Sequence, residues 1–185
     1  MRAALLSVAG LPLTACATPA VEPAQVMAQA PPSFDAVKAE IDRSNASCNS
    51  DYVVRPREPN PERPVVLVRC PPHYPVLLER AGIEAACRTM FDISPAGEPV
   101  NFQTQCSIGE RFDAMPAAWA ELAAHAFPYA VQSSFARFKF QAFADAVPEQ
   151  QRTEVSQPTR FQFEGYSDRL QPPEAFKRPP QEAAH

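Results

Sequence analysis

Cys87-Arg88-Thr89-Met90-Phe91-Asp92-Ile93-Ser94-Pro95-Ala96-Gly97-Glu98-Pro99-Val100-Asn101-Phe102-Gln103-Thr104-Gln105-Cys106 is the stretch that decides the fold. Cys87, Thr89, Phe91 and Ile93 alternate with Arg88, Met90 and Asp92; Val100, Phe102, Thr104 and Cys106 alternate with Asn101, Gln103 and Gln105. Period two is the mark of a strand. Between the two runs lie prolines and a glycine, the chemistry of a turn. Pairing Ile93 with Val100 sets Phe91 opposite Phe102, Thr89 opposite Thr104 and Cys87 opposite Cys106. Like meets like on every rung, and a slip of one residue would throw the two apolar sets onto opposite faces. Two cysteines on one antiparallel rung sit near bridging distance. The sequence therefore predicts a hairpin closed by a Cys87–Cys106 disulfide.

A second pair follows the same logic. Tyr52-Val53-Val54 and Val65-Val66-Leu67-Val68 are short β-rich runs separated by a proline-laden segment, and folding about Pro59 brings Cys48 towards Cys70. The prediction is two bridges, 48–70 and 87–106. A zinc reading of Cys70-Pro71-Pro72-His73 competes with it, but the other ligands would be cysteines that the hairpin already pairs, and no second C-x-x-C clip is present. No metal and no other cofactor is expected.

Disulfides require an oxidising compartment, and the amino-terminal residues point to one. Met1-Arg2 precedes an apolar run over residues 3–15, too short for a bilayer span of roughly 20 residues but right for a secretory signal. The run ends in Leu13-Thr14-Ala15-Cys16, which resembles the lipobox of bacterial lipoproteins. That resemblance implies cleavage before Cys16 and lipidation of its thiol, with several acyl chains giving stable anchoring. Ala17 follows, and in that family the absence of Asp there implies outer-membrane sorting, with the domain facing the periplasm.

Composition bounds the rest. With 185 residues, 45% of them hydrophobic, the chain supports one packed domain plus tails. A net charge of -4 excludes the basic stripe that a nucleic-acid binder needs. Twenty-two prolines against 5 glycines exclude both a regular chain throughout and a glycine-rich phosphate loop. The organisation expected is a signal peptide over 1–15, a flexible tether over 16–32, a helix plus proline-loop hairpin over 33–70, a domain over 71–166 and a disordered tail over 167–185. In the third segment Ser33 can cap a helix with Phe34, Val37 and Ile41 on one face, running to about Asn45. A further helix is expected over 113–126, with Pro116 in its first turn.

From Pro72 the chain resembles the C-terminal domain of the TonB family. The matching residues are Pro72-His73-Tyr74-Pro75, the short helix over 76–81 ending in Gly82-Ile83, the alternating strand through Phe91, the Gly97 turn, and Val100-Asn101-Phe102. Phe127 followed by Arg137-Phe138-Lys139-Phe140 matches the family's aromatic residue, helix and Trp-Arg-aromatic strand, although the alignment between 108 and 141 stays open. The resemblance implies an α+β fold, a small antiparallel sheet with helices packed on one face. It also implies a function: the edge of the last strand takes an extended peptide from an envelope protein or receptor, in TonB-dependent transport. Carried over, the peptide-binding edge is Thr159, Arg160, Phe161, Gln162, Phe163 and Glu164, with Phe161 and Phe163 facing the core. Strand exchange between two such domains would give a homodimer. The family's membrane helix and long spacer do not match here, so the alternative is a structural or assembly outer-membrane lipoprotein without energy transduction. No nucleophile–base or metalloprotease motif suggests an enzyme; Asp92 and Asp113 read as an exposed strand residue and a helix start.

Overall fold

A computed structural model describes residues 22–46, 48, 64–110, 115–143, 148–163 and 170–174. The fold is α+β, with two small antiparallel sheets. Its centre is a three-stranded sheet in the order β3-β2-β5, made of β2 (Ile83–Ile93), β3 (Pro99–Glu110) and β5 (Val155–Phe161). A two-stranded sheet pairs β1 (Val66–Val68) with β4 (Lys139–Phe140).

The β2–β3 hairpin forms as its alternation dictates. Cys87 pairs with Cys106 and Thr89 with Thr104, and the two threonine hydroxyls lie 2.8 Å apart. The Phe91 and Phe102 rings are 5.8 Å apart on the core side. The expected Ile93–Val100 rung is not formed. Ile93 pairs with Pro99 and Asp92 with Val100, because one extra residue is accommodated in β3. Asn101 has φ 57° there, and its side-chain amide donates to Asp92 Oδ2 at 2.8 Å. Asparagine tolerates the left-handed region better than most residues, which is what a bulge at this position needs. The turn is tied by Gly97 N–H to Ser94 O at 2.8 Å and by Ser94 N–H to Glu98 O at 2.8 Å.

Helix α4 (Ala117–Phe135) covers β2 and β3. Trp119, Leu122, Ala123, Ala126, Phe127, Ala130, Val131, Ser134 and Phe135 are buried, the three-and-four spacing of a helix with one broad apolar face. A helix over 113–126 followed by another before Phe138 was expected; from Ala117 onward the observed element is one helix, with Pro116 as its N-cap and Pro128 inside it. Pro128 forfeits one intrahelical bond, but the aromatic and alanine residues either side bury enough apolar surface to carry the helix through. Residues 111–114 lie outside the described residues.

Helix α2 (Phe34–Ala46) begins directly after Ser33, whose carbonyl accepts from Ala36 and Val37, and buries Val37, Ile41 and Asn45. It packs on α4. Asn45 Nδ2 donates to Ser133 Oγ at 2.7 Å, and Tyr129 OH donates to Asp42 Oδ1 at 2.6 Å. The tyrosine hydroxyl, and after it the Lys38 ammonium 3.0 Å away, holds the Asp42 carboxyl below its ordinary range.

The tether expected over 16–32 is, from residue 22 on, packed structure. Helix α1 (Pro23–Met27) buries Met27, and the Trp119 indole N–H donates to Gln29 O at 3.0 Å. These residues carry no periodicity of their own, and their order comes from the surface they lie on. Met27, Val37, Ile41 and Cys70 belong to the same buried cluster as Ile83, Phe91 and Phe127, so the segments on either side of residue 70 share one core.

Strand β1 pairs with β4, some seventy residues on in the chain, at the rungs Val66–Phe140 and Val68–Lys139. The run 52–54, which was expected to complete a hairpin with it, lies outside the described residues. The two sheets are joined at the turn: Phe140 N–H donates to Gly97 O at 2.9 Å, and Lys139 Nζ meets Glu98 Oε1 at 2.8 Å. Helices α3 (Val76–Arg80) and α5 (Glu149–Arg152) complete the described elements. Strand β5 was expected over 159–164. It starts earlier, at Val155, because its partner β2 is long enough to pair with it from Phe91 to Ala85.

Candidate functional site: the free edge of β5

Both predicted disulfides are present. Cys48 Sγ and Cys70 Sγ are 1.92 Å apart, and Cys87 Sγ and Cys106 Sγ are 2.00 Å apart. Cys70 is therefore committed to Cys48 rather than to a metal, and His73 is exposed. Among the described residues, no three His, Cys, Asp or Glu side chains cluster as metal ligands would. Cys16 lies outside the described residues.

Of the six residues predicted as a peptide-binding edge, three lie within β5. Thr159 pairs with Cys87, Arg160 with Ala86 and Phe161 with Ala85. Phe161 is buried and stacks near Phe127 at 5.0 Å and Tyr74 at 5.4 Å, so it faces the core as expected. Gln162 and Phe163 follow the strand. The Phe163 ring lies 5.6 Å from Tyr74, and its N–H donates to Glu84 Oε1 at 2.8 Å. Glu164 lies outside the described residues. Tyr74 anchors this end of the sheet through its hydroxyl, which donates to Ile83 O at 2.6 Å. Burial, helped by the Glu84 and Glu79 carboxylates, pushes its phenol well above the ordinary tyrosine value.

Among the described residues β5 pairs with β2 alone, so its other side is a sheet edge. Pro158 sits within it, opposite Arg88. A proline keeps its place in a ladder only where its missing N–H faces away from the partner strand. Ser156 and Arg160, two residues either side, then turn their N–H and C=O to the same free edge. Pro158 itself offers only a carbonyl, to which Gln157 Nε2 donates at 3.3 Å.

Beside this edge lies a groove of about 620 Å³. One wall is residues 154–158; Pro64, Val66, Phe91, Phe138 and Phe140 form the apolar remainder. The three phenylalanines are joined in one aromatic run, with Phe91–Phe140 at 5.7 Å and Phe138–Phe140 at 6.2 Å. The groove exists because the β1–β4 pair is held against the hairpin turn rather than against β5. Unpaired main-chain groups next to an apolar trough can bind an extended chain, whose backbone pairs with the strand while alternate side chains enter the trough. Residues 155–158 and the aromatic floor lie outside the six residues expected from the sequence. A proline inside an alternating run was the available signal, because it demotes that run to an edge strand.

No protein-family model matches this chain, and no curated protein does.

Proposed function

We propose that this protein is a lipid-anchored, periplasm-facing component of a bacterial envelope whose TonB C-terminal-like domain binds an extended peptide segment of a partner protein by adding it to β5 as a further strand. The observation that carries the reading is the unpaired edge of β5 opening onto an apolar groove floored by Phe91, Phe138 and Phe140. The lipobox at Leu13-Thr14-Ala15-Cys16 and the two disulfides support the compartment. No helix among the described residues is long and apolar enough to cross a membrane. The resemblance connects the partner to envelope receptors and TonB-dependent transport; an assembly role without energy transduction uses the same edge.

The test is a selection of linear peptides from a displayed random library against the full chain, followed by affinity measurement on variants. Ser156→Pro removes an outward donor while leaving the β2 ladder intact, and Ser156→Ala, which loses only the hydroxyl that accepts from Arg88 Nη1, is its control. It weakens a genuine edge ligand about tenfold, the worth of a main-chain hydrogen bond of about 1.4 kcal/mol. Peptides whose affinity ignores Ser156→Pro bind elsewhere and defeat the reading. Crosslinking in intact envelopes then separates the two roles: recovery of inner-membrane motor proteins marks transduction, and recovery of outer-membrane partners alone marks assembly.

A further inference from the structure

The tail was expected to be disordered over 167–185, yet residues 170–174 lie across the outer face of the three-stranded sheet, opposite α4. They touch every strand. Gln162, just past β5, donates through Nε2 to Leu170 O at 2.9 Å. Arg160 Nη2 on β5 donates to Gln171 Oε1 at 2.9 Å. On β2, Arg88 Nε donates to Pro173 O at 2.5 Å, while its Nη1 donates to Ser156 Oγ at 3.1 Å. On β3, Gly109 faces the Leu170 side chain: a Cβ there would stand in ordinary van der Waals contact, 3.4 Å, with both Leu170 methyl carbons.

The chemistry of the two sides matches. Pro172 and Pro173 have no N–H, so this segment is a poor candidate for a strand; what it offers is carbonyl oxygens. The sheet face supplies donors, Arg88 and Gln162, directed at two of those carbonyls, and a slot for one aliphatic side chain. Proline fixes φ in advance, so the segment loses little entropy on docking. Ala86, on this outer face beside Arg88, is fully buried.

We propose that the outer face of the sheet is a second binding surface, for an extended segment in which an aliphatic residue precedes a Pro-Pro pair by two positions, and that residues 170–174 are its resident occupant, exchangeable for a partner segment of the same chemistry. The two sites share Arg160 and Ser156, but the β5 edge uses their main-chain groups and this face uses their side chains, so either reading can fail without the other. The resident copy is tethered a few residues from β5, at an effective concentration on the order of millimolar. A free peptide therefore binds the wild type weakly and gains when the resident copy is weakened.

The probe is a fluorescein-labelled synthetic peptide of residues 168–177, titrated against the full-length protein by anisotropy. Leu170→Asp disables the resident segment and leaves the face intact, so the peptide binds this variant at least tenfold more tightly than the wild type. Adding Arg88→Gln to it abolishes the gain, and so, independently, does adding Gly109→Val, which fills the leucine slot. Retention of both disulfides and of the wild-type circular dichroism spectrum shows that each variant is folded. Equal binding to the wild type and Leu170→Asp, no binding to either, or a gain that survives both face substitutions overturns the proposal. A wild-type dimer that Leu170→Asp converts to monomer also overturns it, since the segment would then belong on a second copy.

Discussion

Gly97→Ala is the substitution whose cost the structure sets most directly. Gly97 has φ +82°, and its carbonyl accepts from Phe140 N–H at 2.9 Å. A β-carbon there would run into the Phe140 carbonyl oxygen, which is main chain and cannot swing aside. Two costs add. Holding alanine in the left-handed region takes about 1–2 kcal/mol. Relieving the collision means moving β4 off the turn, which loses the Phe140–Gly97 bond, worth about 1 kcal/mol, and loosens the buried Phe140 ring against Phe91 and Phe138. The sum is about 2–4 kcal/mol. Equilibrium urea unfolding of the oxidised protein reads it as a midpoint lowered by about 1–2 M at a typical slope. Gly97→Asn separates the two causes, because asparagine tolerates positive φ but keeps the β-carbon. It recovers only part of the loss, about 1 kcal/mol. An alanine variant within about 0.5 kcal/mol of wild type, the range of ordinary surface substitutions, would show that the turn is not seated on β4.

The Cys87→Ala/Cys106→Ala double variant loses a cross-link spanning a sequence separation of 19. Chain entropy puts that at about 3 kcal/mol, read in a thermal melt as a midpoint lowered by roughly 6–12 °C. Tyr74→Phe removes the bond to the Ile83 carbonyl and costs about 1 kcal/mol at neutral pH. The raised Tyr74 phenol favours the folded state least at high pH, because the unfolded chain releases that proton first; the wild-type advantage over Tyr74→Phe therefore shrinks as pH rises above about 10. A gap that widened over that range in paired denaturation curves would refute the burial argument. Cys16→Ser leaves the protein in the soluble fraction after cell disruption, whereas the wild type sediments with membranes; a variant that still sediments defeats the lipidation reading.

What could be read from the sequence was whatever its own periodicity encodes. The Cys87–Cys106 hairpin, its Thr89–Thr104 rung and helix α2 all declare themselves by spacing, and each forms. What could not be read depends on a partner distant in sequence. Strand β1 pairs with β4, some seventy residues on, and α1 gains order from Trp119. The strap at 170–174 does so from Arg88, Gln162 and Gly109. None of these segments has an amphipathic signature, because their contacts are made with main-chain carbonyls or single side chains. The candidate site fell between the two kinds. Phe161 faces the core as its alternation with Arg160 requires, but the groove depends on where β4 lies, and β4 is seated on the Gly97 turn.

Asp92 links the fold to the site. Read from sequence as an exposed strand residue, it is half-buried and holds two irregularities at once. Oδ2 accepts from Asn101 Nδ2, fixing the bulge in β3, and Oδ1 accepts from the Glu154 main-chain N–H at 2.9 Å. Asn101 and Glu154 are the two non-glycine residues with positive φ among the described residues, at 57° and 51°. Strain of about 1–3 kcal/mol at such a position persists only where the surroundings over-determine it, and here one carboxylate does so for both. Glu154 is also the residue at which the chain enters β5 and lines the groove. The start of the edge strand is thus registered by a side chain of the central strand, next to the Phe91–Val155 rung where the ladder begins. In an edge strand that carries a proline, one pinned end keeps the remaining outward N–H and C=O groups in line along the edge.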